Sequence, residues 1–443
     1  MAPLLRGAAW AVAVALIVVS VVWGRRFQRD SPEIFLGAAP LVGRDFRDGW
    51  NWRFGWSLLP AGAGAAWLAW AVLTGWWWRI RIRTLVAVTS IGSAVFGTLL
   101  ALTDGRDGLT YGVVHRSEYL SNLAITPPTG EFVRTFVERI GDYSVHVRGH
   151  PPGFVVLLQA MDAIGLEGVW PVVALSIGAT AVLPCAVLIA VWAVAGPEWV
   201  RRTAPALIVS PYLIWMVSSA DAVYTAVAAC AVASVALGLR SVERSATAWG
   251  FGGGIVLGVL LFFTYGGAMF LVVPATVVGA GWVQSERGIR ADLWRVLVGA
   301  IAGSVAVLAA WALAGFWWLD GAIATRQEYW AGSAQFRSFR YFSLGNLAAA
   351  LIALGPFAFA GVLRLRSRAM WVLVGGGLTA LIASDLSRYT LAEVERIWLL
   401  FFPWIVIASG SLVVESRRRT AAIWIAIQAG CAIVLQAALV SKW

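Results

Sequence analysis

Residues able to do chemistry are sparse in this 443-residue chain and gather in a few short stretches. The first is Leu102-Thr103-Asp104-Gly105-Arg106-Asp107, where an apolar run meets water. A carboxylate at such a boundary is partly desolvated, which raises its pKa and improves it as a general base. Asp104 could equally be a polar helix-end anchor. A second stretch, Val145-His146-Val147-Arg148-Gly149-His150-Pro151-Pro152-Gly153, joins a loop to a further apolar run. Proline is tolerated in a first helical turn, so Arg148 and His150 are expected near a helix N-terminus, an anion-binding position. His146 stands beside them.

Asp221 follows Ser218 and Ser219 between two apolar runs. An acid near a membrane span is a functional candidate, although these residues also suit a helix N-cap. The stretch 320–343 holds Arg326, Glu328, Tyr329, Trp330, Arg337 and Arg340, a mixture suited to a phosphate headgroup or to an interfacial snorkelling belt. Last comes Glu393-Val394-Glu395-Arg396, directly before an apolar run. Its acids could complement a helix dipole. Alternatively, Arg396 could hold a phosphate while Glu393 or Glu395 bonds sugar hydroxyls.

The elements that must position these residues are membrane helices. The chain is 60% hydrophobic and 13% charged, with mean hydropathy +0.78. Soluble domains carry roughly 25% charged residues, so lipid must solvate much of this surface. Apolar runs occupy 8–23, 57–78, 84–103, 170–196, 249–264, 266–283, 295–318, 345–363, 370–384, 397–414 and 421–440. Two further runs, near 152–165 and 204–239, leave the count uncertain. A single integral membrane domain over 1–443 with roughly 11 to 14 spans is expected, all of them helical. The alternation that marks a β-barrel is absent from the sequence.

Arginines cluster between the spans at Arg79, Arg81 and Arg83, at Arg201 and Arg202, at Arg364, Arg366 and Arg368, and at Arg417 to Arg419. Such loops face the cytoplasm, so the net charge of +11 reads as membrane topology and not as nucleic-acid binding. The apolar segment after Arg6 reads as an uncleaved first span, because Trp23-Gly24-Arg25-Arg26 is a poor cleavage site. The stretch 25–56, with Trp50, Trp52 and Trp56, reads as an interfacial aromatic belt. Segments 104–150, 319–343 and 385–396 then lie outside. The parity does not close between Pro151 and Arg202, so one segment there is expected to be short, re-entrant or broken; Pro184, Pro205 and Pro211 favour a break.

The 104–150 loop contains all three histidines, His115, His146 and His150, together with Asp104, Asp107, Glu118, Glu131, Glu138 and Asp142. Phe132, Phe136, Val137 and Ile140 recur at helical spacing, which predicts an amphipathic helix on the membrane surface. The histidine spacing fits no standard metal motif, so no metal ligands are assigned, and a divalent cation stays open as a cofactor. Cys185, Cys230 and Cys431 lie inside apolar runs and read as small buried hydrophobes.

Three features together resemble the GT-C superfamily of membrane glycosyltransferases. An acid opens the large outer loop (Asp104, with Asp107 and Glu118 behind it). His150-Pro151-Pro152 closes the loop. A proline-bearing apolar run leads to Ser218-Ser219-Ala220-Asp221. The Glu-Val-Glu-Arg-Ile-Trp run is similar to actinobacterial members of the group. The resemblance implies a GT-C-like helical bundle in the cell membrane, a polyprenyl-phosphate sugar donor, and transfer to a glycan, lipid or protein acceptor on the extracytoplasmic face. It implies inversion by direct displacement, with Asp104 as first choice for the base and Asp107 and Glu118 in reserve. Arg148, His150 and Arg396 are the implied phosphate ligands. His146, Asp221, Arg337, Arg340, Glu393 and Glu395 complete the expected substrate-binding set. The chain departs from many members in having two spans between the first helix and the large loop, and no recognisable soluble C-terminal domain.

Two readings compete with this one. A transporter or lipid flippase would put ionisable residues near mid-span and show paired halves. A noncatalytic scaffold would tolerate replacement of the outer acids.

Overall fold

The computed structural model describes residues 3–31, 34, 36, 38–41, 50–284 and 287–440, so residues 32, 33, 35, 37 and 42–49 of the expected aromatic belt lie outside the described residues. Among the described residues nine helices are long and apolar enough to cross a membrane, and a bent pair, Val394–Leu400 with Phe402–Ser411, supplies a tenth. The protein is an all-α multi-pass membrane protein. Its β contacts among the described residues are isolated bridges, one of them between Trp50 and Leu439.

One end of the bundle is recognisable from its contacts. Trp77 Nε1 donates to the Arg201 carbonyl (3.0 Å), and Arg418 donates to Glu415 Oε1 (2.8 Å) and lies against Gly75. These contacts join the arginine loops at one end, the inner end by the positive-inside rule. Helices Pro3–Asp30, Ile82–Ala101, Glu243–Phe263, Arg287–Leu313, Arg368–Leu386 and Arg418–Ala438 run outward from it. Helices Leu58–Thr74, Val169–Ala195, Ala220–Gly238, Val272–Gln284 and Phe339–Val362 return, as does the bent pair.

The segment whose parity was open resolves into two pieces. Helix Gly153–Ala163 stays with the outer loop: Gln159 Nε2 donates to Pro127 O (2.9 Å), and Thr129 Oγ1 donates to Gln159 Oε1 (2.7 Å). The missing outward crossing is broken. Helix Pro197–Ile208 ends within the bundle, where Ser93 Oγ donates to Leu207 O (3.1 Å), and a short 3-10 turn, Pro211–Trp215, continues it. Pro211 has no N–H to carry the ladder onward, so the break falls where the sequence placed its prolines.

Irregular backbone inside a bilayer needs internal partners. Helix Phe339–Val362 kinks at Gly355 (φ 76°), before Pro356. Gln428, wholly buried on helix Arg418–Ala438, repairs the ladder: its Nε2 donates to Leu354 O (2.8 Å) and its Oε1 accepts from Phe357 N (3.0 Å). Gln428→Leu strands both groups. We expect it to lower stability by about 1–3 kcal/mol per stranded group, read as a fall in unfolding temperature in detergent. An unchanged melting profile would contradict this account of the kink.

Close packing elsewhere rests on small residues. A Cβ on Gly250 would lie 2.4 Å from Val296 O, and one on Gly254 would lie 2.0 Å from Ala300 O. Glycines at four-residue spacing therefore let helices Glu243–Phe263 and Arg287–Leu313 touch backbone to backbone.

The outer loop is a compact cap made of short helices. Its expected amphipathic helix is only Thr129–Thr135, and its apolar face does not lie on lipid. Phe132 and Phe136 are fully buried and pack edge-on and stacked against Tyr143 and Phe316. Helical spacing identified a buried face correctly, but the face closes the loop's own core.

Candidate functional site

The two limbs of the cap are stitched together by two polar side chains. Asn122 Nδ2 donates to Glu118 O (2.8 Å) and Ser144 Oγ (2.6 Å), and Ser144 N donates back to Asn122 Oδ1 (2.8 Å). Ser144 Oγ and His146 N both donate to Ser117 O. This staple sets His146 beside Glu118, with Nδ1 and Oε1 at 2.8 Å.

Glu118 meets two partners from distant parts of the chain. Arg396 grips it bidentately, Nη1 to Oε1 at 2.7 Å and Nη2 to Oε2 at 3.2 Å. The Nε of Arg396 donates to Asp221 Oδ2. Asp221 in turn accepts from Ser219 Oγ (2.9 Å), and Ser219 caps helix Ala220–Gly238 through Asp221 N (3.0 Å). Glu118, Asp221 and Arg396 are each buried, at 4% exposure. The side chain of Asp221 thus faces both the helix cap and the cluster. Two carboxylates share one guanidinium, so the trio carries a net negative charge before His146 is counted.

Burying charge is costly unless it is paired, and fully desolvated ionic clusters concentrate at functional sites. Burial alone would raise the Glu118 pKa, but Arg396 and His146 outweigh it and hold the carboxyl down at about 2. Glu118 is thus anionic and fully engaged in this state. His150 lies one shell out. Its Nδ1 donates to His146 O (2.9 Å), which leaves Nε2 as the acceptor nitrogen, and its ring sits among Tyr119, Tyr224 and the cluster. Desolvation pushes its pKa down to about 4, against the pull of Asp221, so His150 is neutral near pH 7.

Both shifts act on stability in the same direction. The unfolded chain binds a proton at His150 near 6.5 and the folded chain only near 4, so stability falls as pH drops through that window. Glu118 adds a second loss between its ordinary 4.5 and about 2. We expect His150→Asn to flatten the stability profile between pH 6.5 and 4 without changing it above pH 7. Parallel pH–melting curves for wild type and variant in detergent test this, and coincident slopes would contradict it.

The other expected site residues are placed as follows. Asp104 is not in the cluster. It pairs with Arg53, which also donates to the carbonyls of Gln436 and Leu439. The 50–53 segment additionally bonds the end of the last helix through Asn51 N and Arg53 N. Asp104 thereby ties a helix end to the chain's C-terminal turn, which corrects its expected position beside His150 and Arg396. Asp107 is exposed on helix Arg106–Val114.

Arg148 is also drawn away, into an ion pair with Glu328 (2.9 Å), while its carbonyl accepts from Thr325 (2.9 Å). Arg337 belongs to a neighbouring loop, where it donates to Leu391 O (2.6 Å) and pairs with Glu393 (3.4 Å). Tyr329 accepts from Leu391 N (3.0 Å), and Asn346 bonds Thr390 O (2.7 Å) and Ala392 N (3.2 Å). These bonds hold three residues at positive φ, Arg388 (65°), Ala392 (75°) and Glu393 (62°), a strain normally found at functional loops. Glu395 is buried next to Arg396, and Arg340 is exposed at the start of its helix. Among the described residues no group of three or more His, Cys, Asp and Glu side chains converges as a metal site.

Sequence reasoning passed over Arg53, Asn122 and Ser144, and named Glu328 without its partner Arg148. Arg53 lay in a stretch read as an aromatic belt, and the others signal only through long-range pairing.

No family model matches the chain, and no curated protein matches its sequence. Solved structures similar in shape include the following two. Apo ArnT from Cupriavidus metallidurans aligns over 65% of this chain at 15% identity and TM-score 0.42. The oligosaccharyltransferase of Archaeoglobus fulgidus, crystallised with zinc and sulfate, aligns over 79% at 15% identity and TM-score 0.45. The chain covers 55% and 53% of those chains, about half the length of each. The chain is a polytopic helical membrane protein in which an arginine is buried between two carboxylates from separate segments, one of them in the outer-loop cap.

Proposed function

We propose that this protein is a GT-C-type glycosyltransferase that moves a sugar from a polyprenyl-phosphate donor to a glycan, lipid or protein acceptor on the extracytoplasmic face. The observation that carries this reading is the desolvated Arg396, shared by Glu118 and Asp221 at the junction of cap and bundle. A bidentate guanidinium in a dry site is the group best suited to a phosphate. A carboxylate already on that guanidinium is well placed to take a proton nearby.

In the proposed reaction the acceptor hydroxyl oxygen attacks the anomeric carbon as the carbon–oxygen bond to phosphate breaks. The bonding pair leaves on polyprenyl phosphate, and the hydroxyl proton passes to Glu118. With a pKa near 2, Glu118 is a poor base while it holds Arg396. Donor phosphate competing for Arg396 releases the carboxylate and raises its basicity, so base activation follows donor binding. Asp221 keeps its bond to Arg396 Nε and orients the guanidinium. Inversion at the anomeric carbon belongs to this proposal. We assign the base to Glu118, a reserve choice from sequence, in place of Asp104.

The test incubates purified protein in lipid with a panel of polyprenyl-phosphate sugars and measures release of polyprenyl phosphate. Release from at least one donor is expected. No turnover of any pentosyl or hexosyl donor, with a folded protein and crude envelope acceptors present, would reject the reading.

A further inference from the structure

Arg396 is held from both sides by a buried polar network that lies outside the ionic cluster. Before it, Asn346 on helix Phe339–Val362 donates from Nδ2 to Thr390 O (2.7 Å) and accepts at Oδ1 from Ala392 N (3.2 Å). After it, Trp398 Nε1 donates to Ser384 Oγ (3.0 Å), near the outer end of helix Arg368–Leu386. Thr390 Oγ1 closes the ring by donating to Ser384 O (3.2 Å). Arg396 N donates to Glu393 O (3.2 Å), so the loop with three positive-φ residues runs straight into the turn that carries the guanidinium. Strained backbone persists only where its surroundings over-determine it, and a buried, well-satisfied network does that.

Asp385 is the member whose presence needs a reason. It is buried at the end of a span. Its Oδ1 accepts from the same Asn346 Nδ2 (3.0 Å), and among the described residues no cation pairs with it. A buried acid without a cation is costly, and an acid at a span end is a functional candidate. The Asn346 amide gives one hydrogen to Asp385 and one to Thr390 O, which leaves its oxygen turned to Ala392 N. The carboxylate thereby locks the amide that sets the loop. A continuous run of bonds leads from Asp385 through Asn346 and the loop to Arg396, and from Arg396 to Glu118 and Asp221.

We propose that Asp385, acting through Asn346, is a positioning residue for Arg396: it fixes the loop that aims the guanidinium at Glu118 and Asp221, and so sets the affinity for a prenyl phosphate. The affinity clause rests on the transferase reading above; the positioning clause stands on the bonds alone.

The test uses the full chain in lipid nanodiscs and two readouts. Hydrogen exchange followed by mass spectrometry reports on peptides 388–398 and 117–122, and titration with farnesyl phosphate reports prenyl-phosphate affinity. Asp385→Leu should speed exchange in 388–398 and also in 117–122, which the network reaches through Arg396. Its Kd for farnesyl phosphate should rise about tenfold or more, the order expected from misplacing a phosphate clamp. Asp385→Asn keeps an acceptor oxygen for Asn346 and should stay within about threefold of wild type in both readouts. Ser384→Ala, which frees Trp398 on the other side of Arg396, should act in the same direction as Asp385→Leu and serves if that variant does not fold. Gln428→Leu is the control for lost stability alone: it lowers melting and leaves farnesyl phosphate affinity unchanged.

Unchanged exchange in 117–122, or unchanged affinity in a folded variant, would overturn the proposal. An Asp385→Asn protein as damaged as Asp385→Leu would overturn it too, because the charge and not the bond to Asn346 would then be what counts. Wild type that binds no farnesyl phosphate would instead sink the transferase reading, and the exchange readout would still decide the positioning.

Discussion

Glu118→Gln protein is expected to fold, to bind a polyprenyl-phosphate sugar, and to turn it over about 10²–10⁴ times more slowly than wild type, the usual contribution of a positioned base. Glutamine keeps the shape of the side chain and one acceptor oxygen for Arg396, but it cannot take the acceptor's proton. The loss should therefore appear in kcat with KM little changed. Asp104→Asn is the paired control. Its carboxylate serves Arg53 at a helix end, so turnover should stay within a few-fold of wild type even if melting falls. An inactive Asp104→Asn beside an active Glu118→Gln would return the base to Asp104 and reject the present assignment. Initial rates and melting curves on the same preparations decide between the two.

Arg396 should be the least replaceable residue in the protein. Arg396→Lys keeps a positive charge, but an ammonium cannot grip Glu118 bidentately and hold Asp221 at the same time. Transfer should fall about 10²–10³-fold, the scale for losing one preorganised charge-stabilising donor. KM for the donor should rise as well, because the phosphate loses its fork. Arg396→Met is harsher, since it leaves two buried carboxylates uncompensated at a cost of about 3–5 kcal/mol. Combining it with Glu118→Gln should recover part of that stability and none of the activity. A single Arg396→Met variant that melts like wild type would show that the cluster is not the buried ionic unit described here.

Much of the architecture was legible in the sequence because membrane helices announce themselves. Long apolar runs marked most spans, and the structure gathers arginine loops that the sequence had grouped at one end of the bundle. The exception was the stretch from Pro151 to Arg202, where two short helices do different things. Gly153–Ala163 stays under the cap because Gln159 is bonded to 127 and 129. Pro197–Ile208 crosses with the help of a proline-broken continuation. Hydropathy sums residues without regard to partners, so it favoured the first of the two as a span and gave no sign that the second enters the bundle.

The site was legible in residue types and less so in pairing. Glu118 and His146 were visible as polar residues of the outer loop, and Asp221 and Arg396 as polar residues beside apolar runs. Their union depends on contacts spanning 175 and 278 residues, which no local pattern encodes. Asp104 had the better local signal, at the exit of a span. What removed it from the cluster was Arg53, a side chain that sequence reading had placed in an aromatic belt. Arg148 stands apart from the cluster for the same kind of reason: it pairs with Glu328, far along the chain.

The account stands or falls on where a lipid phosphate sits. A structure of the protein in lipid with a non-transferable phosphonate analogue of a polyprenyl-phosphate sugar would locate it. The expected map has the phosphonate against the Arg396 guanidinium, Glu118 swung off it toward the sugar, and Asp221 still on Nε. A phosphonate bound elsewhere, with Arg396 still clamped by Glu118, would contradict the account.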